Sequence, residues 1–165
     1  MNRLGIAILA WLMFGLERGF RDALELGDTG IVPSFVFVLV TFIGISAPPL
    51  AALWTALVLG VVMDLTSIIA VEGVGSAAAV LGPHALGYVL AVQLMLTLRG
   101  VMIRRNPLTM GFLALCGSAV AQTVLVAIFS IRSAMGDPIV WQPADELVLR
   151  LASGVYTGLI AVGLA

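Results

Sequence analysis

The stretch that decides the fold reads Leu59-Gly60-Val61-Val62-Met63-Asp64-Leu65 and lies in the largely apolar segment 47–75. No charged residue occurs between Asp28 and Asp64, so this carboxylate appears in the middle of uncharged sequence. A carboxylate at membrane depth costs about 2.5 to 3.5 kcal/mol on insertion scales, so it normally faces the protein interior and has a partner. The stretch therefore predicts a buried Asp64 whose partner has to be identified.

The composition is that of an integral membrane protein. Of the 165 residues, 61% are hydrophobic and 10% are charged, and the mean hydropathy is +1.16. Such a chain has too little polar surface to cover a soluble domain. A net charge of −1 without a clustered basic face excludes a nucleic-acid partner. The single cysteine, Cys116, excludes an internal disulfide and a cysteine-based metal site.

The apolar runs predict an all-α, polytopic membrane bundle of six transmembrane helices, because one spanning helix needs about 20 apolar residues. No linker or low-complexity tract interrupts the chain, so residues 1–165 form a single integral membrane domain. The predicted spans are 3–23, 30–46, 49–70, 75–98, 107–131 and 146–165.

The first span is expected to continue beyond Leu16 as an amphipathic helix, until Gly27 and Gly30 end it. Its charged end has two interpretations. Either it is solvated and carries surface ion pairs, or Arg18 or Arg21 turns into the bundle.

The other spans carry their own signals. Span two is rich in Phe and Val and has no charge, so we expect it to face lipid. Pro48-Pro49 should end span two and begin span three. Gly82-Pro83-His84 lies inside the predicted span four, which indicates a kink packed within the bundle. Gly60 in span three and Gly154-x-x-x-Gly158 in span six allow close helix packing, and packing inside the protein is preferred over dimerisation for the latter.

The loop that contains Arg99, Arg104 and Arg105 has no acidic residue and is the densest basic loop of the chain. The positive-inside rule places it in the cytoplasm, and with six spans both termini are then cytoplasmic. The segments 17–28 and 132–146 become external. They contain three candidates for a partner-binding surface: Arg21, Trp141 and Asp145. Trp141 is also expected to anchor the chain at the membrane interface.

Counting about 1.5 Å per residue from each predicted membrane edge brings several polar groups into the outer half of the bundle. This predicted buried polar core contains Asp64, His84, Gln122 and Arg18. One hypothesis pairs Asp64 with His84 or with an arginine. The alternative keeps Asp64 protonated and hydrogen-bonded to Thr66, Ser67 or a backbone carbonyl, which desolvation would favour.

The inventory of reactive groups is poor for an enzyme. General acid–base catalysis usually needs two poised groups, and metal sites need several His, Cys or carboxylate ligands, whereas only Asp64 and His84 are expected to be buried. The sequence contains no HExxH motif, no phosphate-binding glycine loop and no Ser-His-Asp set. It therefore predicts a protein that is not an enzyme and needs neither a metal nor another cofactor.

The chain resembles a known family of bacterial membrane proteins in four features. These are Gly-Val-Val-Met-Asp64-Leu near the end of span three, the Gly-Val-Gly75 turn, Ala85-Leu86-Gly87-Tyr88 in span four and the basic loop that ends at Arg105. Together with the length and the six predicted spans, they are similar to the rod-shape-determining MreD family.

The resemblance implies a scaffold of the cell-elongation machinery in the bacterial inner (cytoplasmic) membrane. Members are thought to bind MreC, a one-span protein, and through it to influence the SEDS glycosyltransferase and the class B penicillin-binding protein that build lateral peptidoglycan. A regulatory contribution to rod shape follows, with the lipid bilayer as surroundings. Asp64 then belongs to a recurring Gly-x-x-x-Asp signature that fixes the interior of the bundle.

The family fold is similar to the substrate-binding subunits of energy-coupling-factor vitamin transporters, which supplies the alternative function. In that case the outer cavity would hold a vitamin, contacted by Asp64, His84, Gln122 and Trp141. Those subunits usually display small residues four apart in their first span, whereas the cytoplasmic half of span one here offers only Gly5, Ala7 and Ala10, which are not four apart. A helper of another membrane enzyme is a third possibility.

Overall fold

The computed structural model describes residues 3–70, 77–100, 107–137 and 142–164. Within these ranges the protein is a bundle of helices with one small two-stranded sheet. The elements are α1 (Arg3–Gly19), α2 (Arg21–Leu24), a 3-10 turn (Gly27–Thr29), α3 (Phe35–Ser46), α4 (Pro49–Thr66), β1 (Ile68–Ala70), β2 (Ala77–Ala79), α5 (Pro83–Leu98), α6 (Pro107–Ala134) and α7 (Pro143–Gly163).

In the described part of the chain, three helices are long and apolar enough to cross a bilayer: Pro49–Thr66, Leu108–Ala134 and Pro143–Gly163. The helices Phe35–Ser46 and Pro83–Leu98 are apolar but shorter. The helical fold class and the membrane-embedded character that the composition predicts are therefore confirmed. The ends of α6 and α7 lie within three residues of the predicted ones.

Helix α3 lies in the centre of the bundle, so the prediction that span two faces lipid is wrong. It packs against α1, α4, α5, α6 and α7, and eight of its residues are buried. One of them, Phe37, meets the Tyr88 ring of α5 edge-on, with ring centroids 5.3 Å apart. A helix that is apolar on all sides suits a protein core as well as lipid, and here five neighbouring helices surround it.

The helices of the first four predicted spans are shorter than expected, and the first two differ as follows. Helix α1 ends at Gly19 and is followed by the separate four-residue α2, so the continuous helix to residue 23 is not formed. Helix α3 begins at Phe35, because Ser34 caps it by accepting the Phe37 N–H. Gly30, with φ of 75°, makes the left-handed turn between α2 and α3.

The predicted kink at Pro83 is also wrong, because Pro83 is the first residue of α5. Proline suits that position, where the missing N–H has no helical partner in any case. Gly82 precedes it with φ of 121°. The segment before it, which belongs to the predicted spans three and four, forms the antiparallel pair β1–β2 with Ile68 opposite Ala79.

Glycines set the closest helix contacts. A Cβ atom on Gly60 of α4 would lie 2.5 Å from the Ala85 Cα atom of α5. On α7, a Cβ on Gly154 would lie 2.8 Å from Ser118 Oγ, and one on Gly158 would lie 3.2 Å from Leu115 Cβ. The structure thus places Gly154 and Gly158 against α6, inside the chain.

Gly60→Ala is expected to lower the free energy of unfolding by about 1 to 3 kcal/mol, because the new methyl group forces the α5 backbone away from α4. The matched control is Gly15→Ala in α1, where nothing lies within 4 Å of the added Cβ. Alanine is the better helix former by roughly 0.5 to 1 kcal/mol, so this control should be neutral or stabilising. Unfolding titrations in mixed micelles measure both, and equal midpoints for the two variants would contradict the close approach.

Candidate functional site

A cavity of about 520 Å³ lies at one end of the bundle, opposite the Pro48-Pro49 turn. Its walls come from the ends of α1 and α4 and the starts of α3, α5 and α7, with α6 along one side. Eight charged or titratable side chains line it: Glu17, Arg18, Arg21, Asp64, His84, Tyr88, Glu146 and Arg150. The residues of the predicted polar core all line this cavity, but they contact different partners.

Asp64 is 1% exposed and holds the start of α5. Its Oδ2 atom accepts the N–H groups of Gly82 at 2.8 Å and Ala85 at 3.2 Å, and its Oδ1 atom accepts the His84 N–H at 2.9 Å. The first N–H groups of a helix have no partner within the helix. A carboxylate at that position also interacts favourably with the positive end of the helix dipole. Asp64, in the last turn of α4, is therefore the N-terminal cap of a different helix.

The His84 ring is the side-chain partner of Asp64. The Nδ1 atom of His84 lies 2.8 Å from Asp64 Oδ1, and its ring meets the Tyr88 ring edge-on at 6.2 Å. Both Asp64 oxygens accept backbone N–H groups, and in the described ranges Asp64 has no hydrogen bond to Thr66, Ser67 or a backbone carbonyl. His84 is the second residue of α5, whereas the sequence placed it nine residues inside span four.

Glu17 makes a second cap of the same kind, which the sequence analysis missed. Its Oε2 atom accepts the Ser34 hydroxyl at 3.1 Å and the Val36 N–H at 2.9 Å, at the start of α3. The Ser34 N–H in turn donates to Thr157 Oγ1 of α7 at 3.0 Å. Glu17 thereby connects α1 to the central helix. The signal was its place directly after the apolar run that ends at Leu16, but its spacing from Arg21 favoured a surface ion pair.

The two arginines of the first span, Arg18 and Arg21, both line the cavity. The Arg18 guanidinium donates to the Thr66 carbonyl at the end of α4, where a cation complements the helix dipole. Arg18 and Arg21 remain exposed at the mouth of the cavity. Neither arginine contacts Asp64 among the hydrogen bonds and ion pairs of the described residues.

Gln122 belongs to a different wall from Asp64. Its Oε1 atom lies 3.5 Å from Arg150 Nη1, and Arg150 Nε donates to Glu146 Oε2 at 2.8 Å. This set joins α6 to the first turns of α7. Asp145, beside Glu146, is exposed on the outside of α7.

Arg99 caps a helix at the other end of the bundle. Its Nη1 atom donates to the carbonyl oxygens of Gly44 at 3.1 Å and Ala47 at 2.7 Å, where α3 ends. Backbone groups that water does not reach must be paired inside the protein, and a cation at a helix C-terminus serves that purpose. Of the residues that the sequence analysis singled out, Gly75, Arg104, Arg105 and Trp141 lie outside the described residues.

The interactions that the structure shows at this site are helix caps and ion pairs. Among the residues that the structure describes, no three His, Cys, Asp or Glu side chains come together as a metal site. Asp64 and His84 form a pair, and no third metal-ligating group joins them within the described ranges. Every polar side-chain atom that is buried in the described ranges has a hydrogen-bond partner.

Comparisons with known proteins give no relative: no protein-family model, curated protein or solved structure matches this chain.

Proposed function

We propose that this protein is a six-span scaffold of the bacterial inner membrane that binds an MreC-like one-span protein and helps regulate lateral peptidoglycan synthesis and rod shape. Both termini are cytoplasmic in this proposal, and the cavity opens on the external side. Contact with the SEDS glycosyltransferase and the class B penicillin-binding protein is indirect. The chain itself catalyses no reaction.

The observation that carries the proposal is that the residues of two of the four resemblance features, those in α4 and in α5, pack against each other. Gly60 and Asp64 of α4 meet Ala85 of α5 through a close backbone approach and a helix cap. Gly87 lets α5 approach α6, since a Cβ there would lie 2.9 Å from the Ala121 carbonyl oxygen. The motif residues therefore have a shared structural purpose, which supports reading them as a signature.

Six spans require the three shorter helices to cross the membrane as well, and their apolar composition supports this. Helix α1 has 17 residues, α3 has 12 and α5 has 16. Helices α3 and α5 contain no Asp, Glu, Lys or Arg, and in α1 Arg3 is the only one of these before Glu17. Helix α1 exposes Ile8 and Trp11, with 56% and 77% of each residue accessible. Such side chains suit lipid or a partner helix better than water.

A role without catalysis is supported by the use that the fold makes of its buried carboxylates. Asp64 and Glu17 both accept backbone N–H groups at helix starts. A general base needs a free lone pair directed at a substrate proton. These carboxylates are instead engaged within the fold.

Co-purification tests the proposal. An affinity-tagged form of this protein, expressed in its host membrane, is expected to retain a protein with one span, a coiled coil and a periplasmic β domain in about equal amount. The Asp145→Arg variant changes the exposed external start of α7 and tests whether that surface contributes to partner binding. Depletion should convert rods to spheres. Unchanged cell shape on depletion, with no one-span partner retained, would contradict the proposal.

The cavity favours a second candidate function, a substrate-binding subunit of an energy-coupling-factor vitamin transporter. A space of about 520 Å³ lies in the ordinary range for small-molecule sites. The same purification separates the two candidates, because a transporter subunit would bring down a small vitamin and two ATPase subunits.

A further inference from the structure

The acidic and basic side chains around the cavity differ in how far the fold already pairs them. Asp64 and Glu17 are occupied by the starts of α5 and α3, and each helix start contributes about half a positive charge that opposes the carboxylate. Glu146 is paired with Arg150. The three acids of the lining are therefore engaged within the fold.

Arg18 and Arg21 differ from those acids. In the described ranges the ion pairs are His84 with Asp64, Arg132 with Asp137 and Arg150 with Glu146, and neither Arg18 nor Arg21 takes part. Arg18 uses one guanidinium nitrogen on a neutral carbonyl group. Two cations with most of their donors available thus stand at the mouth of a cavity whose acids are engaged.

The rest of the lining is amphipathic. The side chains of Ser67 and Ser153 add hydroxyl groups to the polar side. Apolar residues form another part of the walls: Phe14, Val32, Pro33, Phe129 and Leu149. A ligand that fits this lining has an anionic group with several oxygens and an apolar part beside it.

We propose that the cavity binds a phosphate-bearing ligand, with the phosphate held by Arg18 and Arg21 and an apolar portion packed against apolar lining residues such as Phe14 and Phe129. Guanidinium groups match phosphate oxygens with two parallel hydrogen bonds, and two such groups at one mouth favour phosphate over a single carboxylate. The phosphate belongs either to a membrane lipid or to a small water-soluble ester. This inference goes beyond the scaffold function and does not depend on a protein partner.

Lipid retention provides the first arm of the test. The full chain is placed in nanodiscs of phosphatidylcholine with 20% phosphatidylglycerol, about one lipid in five, and native mass spectrometry counts the lipids that stay bound. We expect retention of phosphatidylglycerol by the wild type and at least about tenfold less by Arg21→Gln and by the Arg18→Gln, Arg21→Gln double variant. The second arm titrates glycerol 3-phosphate in detergent, and saturable binding there assigns the site to water-soluble esters.

Two controls separate a loss of binding caused by misfolding from one caused by the lost positive charge. Arg132→Gln removes one positive charge at the same end of the bundle, where Arg132 pairs with Asp137 at 2.7 Å outside the cavity lining, and should bind like the wild type. Arg21 makes no hydrogen bond in the described part of the chain besides its backbone ones, so Arg21→Gln should fold normally even if the double variant does not. Equal binding by the wild type and Arg21→Gln in both arms, or no phosphate ligand bound in either arm, would overturn the proposal.

Discussion

Replacing Asp64 with alanine should lower the free energy of unfolding by about 3 to 5 kcal/mol, which is the largest single-residue effect that we expect. The variant leaves the N–H groups of Gly82, His84 and Ala85 without their acceptor. Each buried donor left unpaired costs about 1 to 3 kcal/mol. The His84 ring loses its partner at the same time.

Unfolding titrations in mixed micelles, followed by circular dichroism, measure this loss. Asp64→Asn keeps one acceptor oxygen, so its stability should lie between those of the wild type and Asp64→Ala. Asp145→Asn changes an exposed carboxylate in the first turn of α7 and should shift stability by less than about 0.5 kcal/mol. If Asp64→Ala and Asp145→Asn unfolded at the same point, the capping role of Asp64 would be refuted.

Glu17→Ala should be the second largest change, with a loss of about 2 to 4 kcal/mol. Glu17 accepts the Ser34 hydroxyl and the Val36 N–H, so its removal weakens both the start of α3 and the attachment of α1. Helix α1 packs mainly on α3. We therefore expect α1 to detach before the rest of the bundle unfolds.

The detachment is measured by the labelling rate of a cysteine placed at Met13, which packs against the core, after Cys116 has been changed to alanine. Labelling should become faster in Glu17→Ala, whereas Glu17→Gln should lie between Glu17→Ala and the wild type. The matched control is Asp22→Ala, an exposed acid of the adjoining α2. Faster labelling in Asp22→Ala than in Glu17→Ala would contradict the account of Glu17.

The sequence was sufficient for the helices whose ends carry strong local signals. Pro48-Pro49 separates α3 from α4 as predicted, and α6 begins at the predicted residue 107. Proline at 83 was ambiguous, because a proline in an apolar run is compatible with a kink or with a helix start. The orientation of α3 was ambiguous too, since an uncharged helix suits lipid and core equally.

The residues of the site could be predicted from the sequence, but the contacts between them could not. A lone carboxylate in apolar sequence indicated that Asp64 is buried, and it is. Its donors at residues 82–85 are brought to it by the α4–α5 packing at Gly60, which local sequence does not specify. The cap that Glu17 makes on α3 likewise joins groups 17 and 19 residues apart. Such caps depend on tertiary structure, which periodicity alone does not reveal.

Amide hydrogen exchange at the start of α5 tests the central claim, that a carboxylate of α4 holds this helix start in place, most directly. In nanodiscs, exchange at residues 82–85 is expected to be slow in the wild type, intermediate in Asp64→Asn and fastest in Asp64→Ala, while the later part of α5, residues 92–98, changes little. Exchange at residues 82–85 that is equally slow in Asp64→Ala and in the wild type would contradict the claim.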